Sequence, residues 1–299
     1  MLARFRLTVV VGILLASPLF ASQTNSQSPA MPSVPPVEII RRAVQAEADA
    51  QKSSAKYMFR DLKQTPQGSQ TRLMAETVNA MAAITIAYNN KPLTAEQRQA
   101  EIDRLHRLAN SPDDLRRKQK READDADRTN RIMKALPFAF LYQYAGTQTG
   151  TQGIGAPEMP LLKLNFRPNP DYDPPSAVER VLVGMEGYVL VDPASYRIAK
   201  IDGTLTKDVG FGWGILGHLD SGGRFVVEQG RVVQGTWEIT RMQLNFTGKI
   251  LLFKSLNIQS TEVFSDFQPV PHDLTFAQAV DMLVQGEATF AQNAGAGNR

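Results

Sequence analysis

The chain has 299 residues, 42% of them hydrophobic, with 33 Lys and Arg against 30 Asp and Glu for a formal net charge of +3. That is enough apolar material for a full core in one or two domains, and too little charge to hold nucleic acid by counterion release. There is no cysteine, which excludes disulfides, thiolate metal sites and a lipid-modified N-terminal Cys together.

Residues 1–21, MLARFRLTVVVGILLASPLFA, place Arg4 and Arg6 before an apolar run from Leu7 to Leu15 and end on small residues, the pattern of a secretory signal peptide cut after Ala21. The run is shorter than the ~20 apolar residues that span a bilayer. The mature chain is therefore expected to have no transmembrane span, a charge of about +1 and an exported location, periplasmic or extracellular. Residues 22–36, rich in Ser, Gln and Pro, read as a disordered tether.

A single folded domain is expected over residues 37–285. Ile39, Ile40, Ala43 and Val44 recur at helical spacing behind Pro36 and predict an amphipathic helix over 37–52. Two strands flank the Pro66-Gln67-Gly68-Ser69 turn and a third ends at Asn89-Asn90. Thr94 with Gln97, and Ser111-Pro112 followed by two acids, start helices over about 95–109 and 112–135. This charged helical insertion, about 94–135, has no large apolar residue from Arg116 to Arg131 and reads as a solvated face. Asp124, Asp125 and Asp127 are compensated by neighbouring arginines more simply than by a metal ion.

From Leu136 the hydrophobic period becomes two. The runs FAFLYQYAG, LLKLNFRP, ERVLVGMEGYVLVD, YRIAKIDGTLT, GRFVVEQG, GTWEITRMQLNF and KILLFKSLNIQS leave no room for crossover helices, so they predict an antiparallel meander. Ser221-Gly222-Gly223 and Thr247-Gly248 are expected hairpin turns, and Asp192-Pro193-Ala194-Ser195 a type I turn. A capping box at Thr275 and Gln278 opens a terminal helix through Val284, followed by a flexible tail over 286–299.

Inside the meander, Gly212-Trp213-Gly214-Ile215-Leu216-Gly217 is a literal G-x-G-x-x-G. A dinucleotide site needs a long helix directly after it, and only His218-Leu219-Asp220 precede the next glycine turn, so no nucleotide is expected. Apolar residues and glycines alternate over 209–215, as suits a bent strand with one large face and one bare face. The predicted fold class is α+β: a strongly curved antiparallel sheet, a half-barrel, carrying N-terminal, inserted and C-terminal helices. Phe211, Trp213, Phe225, Trp237, Phe246 and Phe253 are expected on its inner surface, either as ordinary core or as the lining of an apolar cavity.

This order of elements behind a signal peptide resembles the half-barrel of LolA-type lipoprotein carriers and their LppX-like lipid-binding relatives. GYVLVDPASYRIAKIDGTLT is the most specific part, similar to the W-x-D-P-x-T hairpin of many members, with Tyr188 where Trp is common. The resemblance covers roughly residues 37–285 and implies an apolar hollow that accepts the acyl chains of a lipid or lipidated protein, with contact to a membrane surface and without catalyst or cofactor. Two other classes compete with this reading. One is an envelope interaction or scaffold protein with a packed core, and the other a hydrolase with a dispersed His, Asp and Ser site. His106, His218 and His272 stand at no metal-ligand spacing, and G-x-S-x-G, H-E-x-x-H and the P-loop are absent. Non-enzymatic binding with no metal is therefore the expectation.

Overall fold

The computed structural model describes residues 33–53, 55–211, 217–250 and 254–296. The predicted signal segment, most of the predicted tether, Trp213 and Phe253 lie outside the described residues. The chain runs through α1 (Pro36–Ser53), β1 (Lys56–Thr65), β2 (Gly68–Ala75), β3 (Ala82–Tyr88), the two-residue β4 (Lys91–Pro92), α2 (Ala95–Ala109) and α3 (Pro112–Ala139). It continues with β5 (Phe140–Thr149), β6 (Pro160–Pro168), β7 (Met185–Val191), β8 (Ile198–Leu205), β9 (Val209–Phe211), β10 (Gly217–Leu219), β11 (Arg224–Arg231), β12 (Trp237–Ile250), β13 (Lys254–Val270) and α4 (Phe276–Ala296).

All thirteen strands join one antiparallel sheet in the order β4-β3-β2-β1-β13-β12-β11-β8-β7-β6-β5, with β9 and β10 off that path. The α+β class is as expected, but the sheet is neither strongly curled nor closed: β4 and β5 stand at its two ends without pairing to each other. The short strands β9 and β10, on either side of the glycines expected to bend it, form a side excursion. β8 pairs directly with β11, and beneath the excursion Leu205 N donates to Gly223 O and Gly222 N to Leu205 O, both at 2.7 Å. Gly217 already opens strand β10, which pairs back to Phe211 in β9, so a strand occupies the place where a dinucleotide fold needs its helix.

Local signals set several elements. Thr94 and Gln97 form the predicted capping box of α2, with Thr94 N donating to Gln97 Oε1 at 2.9 Å. Asp192 folds the β7–β8 turn: its Oδ1 accepts from Ala194 N at 2.9 Å, Ser195 N at 2.8 Å and Ser195 Oγ at 3.1 Å, while only 4% exposed. Asp192→Ala strands those donors and should cost about 1–3 kcal/mol in urea unfolding.

Other expectations need correction. Thr247-Gly248 is mid-strand: β12 runs on to Ile250, and a Cβ at Gly248 would stand 2.1 Å from His218 O, so this glycine admits the β10 backbone where a turn was predicted. Ser221-Gly222-Gly223 is no hairpin, because β10 and β11 do not pair with each other and follow one another along β12. Glu179–Gly184 is a 3₁₀ turn ahead of β7, and Lys249-Ile250 belongs to β12 while β13 begins at Lys254. The terminal helix extends to Ala296, beyond the predicted Val284, and buries Glu287 against Arg98 of α2.

α3 also outruns its predicted end. It continues past Pro137 to Ala139 and passes straight into β5. Near its start Leu115 joins a core that α2 and α4 form with β2 and β3, through Leu105, Val280, Leu283 and Ile84. Near its end Ile132, Met133 and Leu136 join a second core with α1, β6 and β7, through Ile40, Leu164 and Val189. A helix of 28 residues is about 42 Å long. Glu122 still accepts from Met81 N, just ahead of β3, at 2.9 Å, so the part of the helix beyond it, about 26 Å long, links the first core to the second.

Candidate functional site

The ladder register assembles one apolar track on the middle of the sheet. Phe225 of β11 lies opposite Leu244 of β12, Val227 opposite Met242 and Phe246 opposite Ile258 of β13. On the same face of β13, Ser260 and Glu262 stand opposite Leu244 and Met242 and separate Ile258 from Phe264, whose ring Phe59 of β1 meets edge-on at a centroid distance of 6.0 Å. Phe225 and Phe246 pack against the core that α1 and α3 form with the sheet, which identifies the face as the one these helices cover. The other face of β12 presents Arg241, Gln243 and Asn245, so the track is one-sided.

The track side chains are only partly buried, and Ile258 is 38% exposed. From Arg116 to Arg131, α3 carries no large apolar side chain; some of its charges pair within the helix, as Lys118–Glu122 at 2.8 Å and Lys120–Asp124 at 3.1 Å, while Glu122 also accepts from Met81 N at 2.9 Å and Arg131 pairs with Glu179 at 3.0 Å.

At its β1–β2 end the track meets polar groups. Asp61, opposite Phe264, is fully buried. Its Oδ2 accepts from Arg72, with Nε at 2.9 Å, while Oδ1 has no partner among the described residues. Burial raises the Asp61 pKa against the lowering effect of Arg72. Lys63 and Glu262 pair alongside at 2.7 Å.

A separate hollow of about 500 Å³ lies where α3 becomes β5. Phe138, Phe140, Leu141 and Tyr142 line it from that junction, with Val37 of α1 and the segment 169–173. Asn169 fastens the segment, its Nδ2 donating to Phe138 O and its backbone N to Ala139 O, at 2.9 and 2.8 Å. Phe138 is 60% exposed. Tyr142 donates to Leu136 O at 2.9 Å, and burial pushes its pKa up. Two further hollows, of about 330 and 300 Å³, are lined largely by polar groups, among them Gln64 and Asn245 in one and Arg72 and Glu101 in the other.

The predicted lining residues are divided by this geometry. Phe225 and Phe246 share the track. Trp237 does not: it packs with Leu161, Leu190 and Ala199 on the opposite face, and Arg197 lies 5.8 Å above its ring. Phe211 ends β9, while Trp213 and Phe253 fall outside the described residues. Met242, Leu244, Ile258, Phe264 and Phe59 were not anticipated, although the alternation in RMQLNF marks Met242 and Leu244 as sharing the face of Phe246. Among the three histidines, His218 Nε2 stands 3.1 Å from Asp220 Oδ1 in the β9–β10 excursion. Among the described residues, no three His, Asp or Glu side chains are grouped to hold a metal, and no helix is long and apolar enough to cross a membrane.

No family model matches the chain, and no curated protein matches it. Among solved structures, a DUF1329 family protein from Desulfovibrio piger is similar over 82% of this chain and 97% of its own, with 10% identity and a TM-score of 0.28. A likeness at that level carries no argument about site or activity, and the comparisons supply no evidence for the LolA-type resemblance.

Proposed function

We propose that the protein is an exported, non-enzymatic binder of a hydrophobic ligand, the acyl chain of a lipid or of a lipidated protein, held on the apolar face of β11 and β12. One observation carries this reading: a partly exposed apolar cluster on β11 and β12, formed by Phe225, Val227, Met242, Leu244 and Phe246, with Ile258 of β13 beside Phe246. Contiguous exposed apolar surface is costly in a folded protein and marks binding sites. Each methylene laid on this face contributes about 0.8 kcal/mol when fully buried, so a long chain binds without any catalytic group.

The test is direct. The mature chain, purified from the cells that express it and extracted with organic solvent, should yield lipid near stoichiometry by mass spectrometry. A fluorescent fatty acid should then bind saturably, and Leu244→Gln with Phe246→Gln should weaken it at least about tenfold, since the pair removes two apolar contacts of about 1.5–3 kcal/mol each. Absence of saturable binding by the folded wild-type chain would refute the proposal.

A second reading, an envelope interaction protein, is favoured by β5. This strand is paired on one side only, and Phe140–Thr149 contains neither a charged residue nor a proline, the usual guards of a sheet edge. Association that rises with concentration and is abolished by Gln143→Lys would support it; a monomer with no bound lipid counts against both readings.

A further inference from the structure

The hollow at the α3–β5 junction is distinct from the track and has its own chemistry. Phe138, Phe140, Tyr142 and Tyr172 contribute aromatic surface, and Asp171 and Asp173 contribute carboxylates, with no Lys, Arg or His among the lining residues. Neither carboxylate is engaged in an ion pair among the described residues, and both are exposed. The negative charge of Asp173 reaches the site, for it adds to burial and to Glu179 in raising the pKa of Tyr172. At about 500 Å³ the volume falls in the usual range of small-molecule sites.

We infer that this hollow is a binding site for a small organic cation, a quaternary ammonium or alkylamine group. Aromatic faces attract a cation through their quadrupoles, and recognition of quaternary ammonium groups by clustered aromatic rings is a well-established use of that attraction. The two carboxylates supply compensating charge, while the apolar walls accept the methyl groups that an inorganic ion lacks. An anionic ligand is disfavoured by the same two acids. The 169–173 segment, held to Phe138 and Ala139 through Asn169, keeps the acids and the rings on one opening.

Choline and its uncharged isostere 3,3-dimethyl-1-butanol separate charge from shape. By calorimetric titration of the full chain, choline should bind saturably and at least tenfold more tightly than the alcohol. The preference should collapse in Asp171→Asn/Asp173→Asn, and Phe138→Ala should weaken choline several-fold. Both acids and Phe138 are exposed, so the variants should keep the wild-type melting temperature; if they do not, raising the salt concentration on the wild-type chain tests the charge contribution instead and should weaken choline while leaving the alcohol unchanged. Equal binding of the two compounds, salt-independent choline binding, or no saturable binding of either would overturn the inference.

Discussion

Arg72→Met should destabilise the chain by about 3–5 kcal/mol at neutral pH, the range for removing one partner of a buried ion pair. Asp61 has no exposed surface, and Arg72 is the only side chain that hydrogen-bonds it among the described residues. Without the guanidinium, its charge would sit uncompensated against Phe264. The double variant Arg72→Met/Asp61→Leu should recover most of the loss, because a packed apolar pair removes the desolvation cost together with the attraction. Urea unfolding of the two single variants and the double gives the coupling directly. Independent, additive effects would show that the pair is not the unit described here.

The second large effect is on pH dependence. Burial pushes the Glu238 carboxyl up to about 7, with further upward pressure from Glu76 and Glu47 that Arg197 opposes. A carboxyl whose folded pKa exceeds its unfolded value contributes stability that is complete below about 4.5 and is lost as pH rises through about 7. Folding should therefore weaken between pH 5 and pH 8, by up to about 3 kcal/mol. Asp61 and Glu76 are also raised, burial being the main cause in each, and they add slope of the same sign. Glu238→Gln should flatten the profile and make the protein more stable than wild type at pH 8. A Glu238→Gln profile that keeps the wild-type slope would place the cause elsewhere.

The sequence was most legible where a residue acts on its neighbours. Thr94 and Gln97 fix the start of α2, Asp192 fixes a turn, and the period-two runs announce strands. The end of α3 was less legible, because Pro137 reads locally as a stop whereas Leu136 and Phe140 bury that turn in a tertiary core. Strand order was out of reach: β1 pairs with β13, some two hundred residues later, and no local signal states it. The candidate site falls between these cases. Trp237 and Phe246 lie nine residues apart on one strand, but a register shift opposite Glu228 and Gln229 falls between them, so counting by twos along the sequence does not by itself assign their faces. The alignment of Phe246 with Ile258, or of Phe59 with Phe264, depends on register and could not be read from the sequence.

α3 acts as a tie-rod: its start is embedded in one core, its end in the other, and its last turn is covalently continuous with an edge strand. The two cores are thereby coupled through a single helix, and neither can move away from the other without loading it.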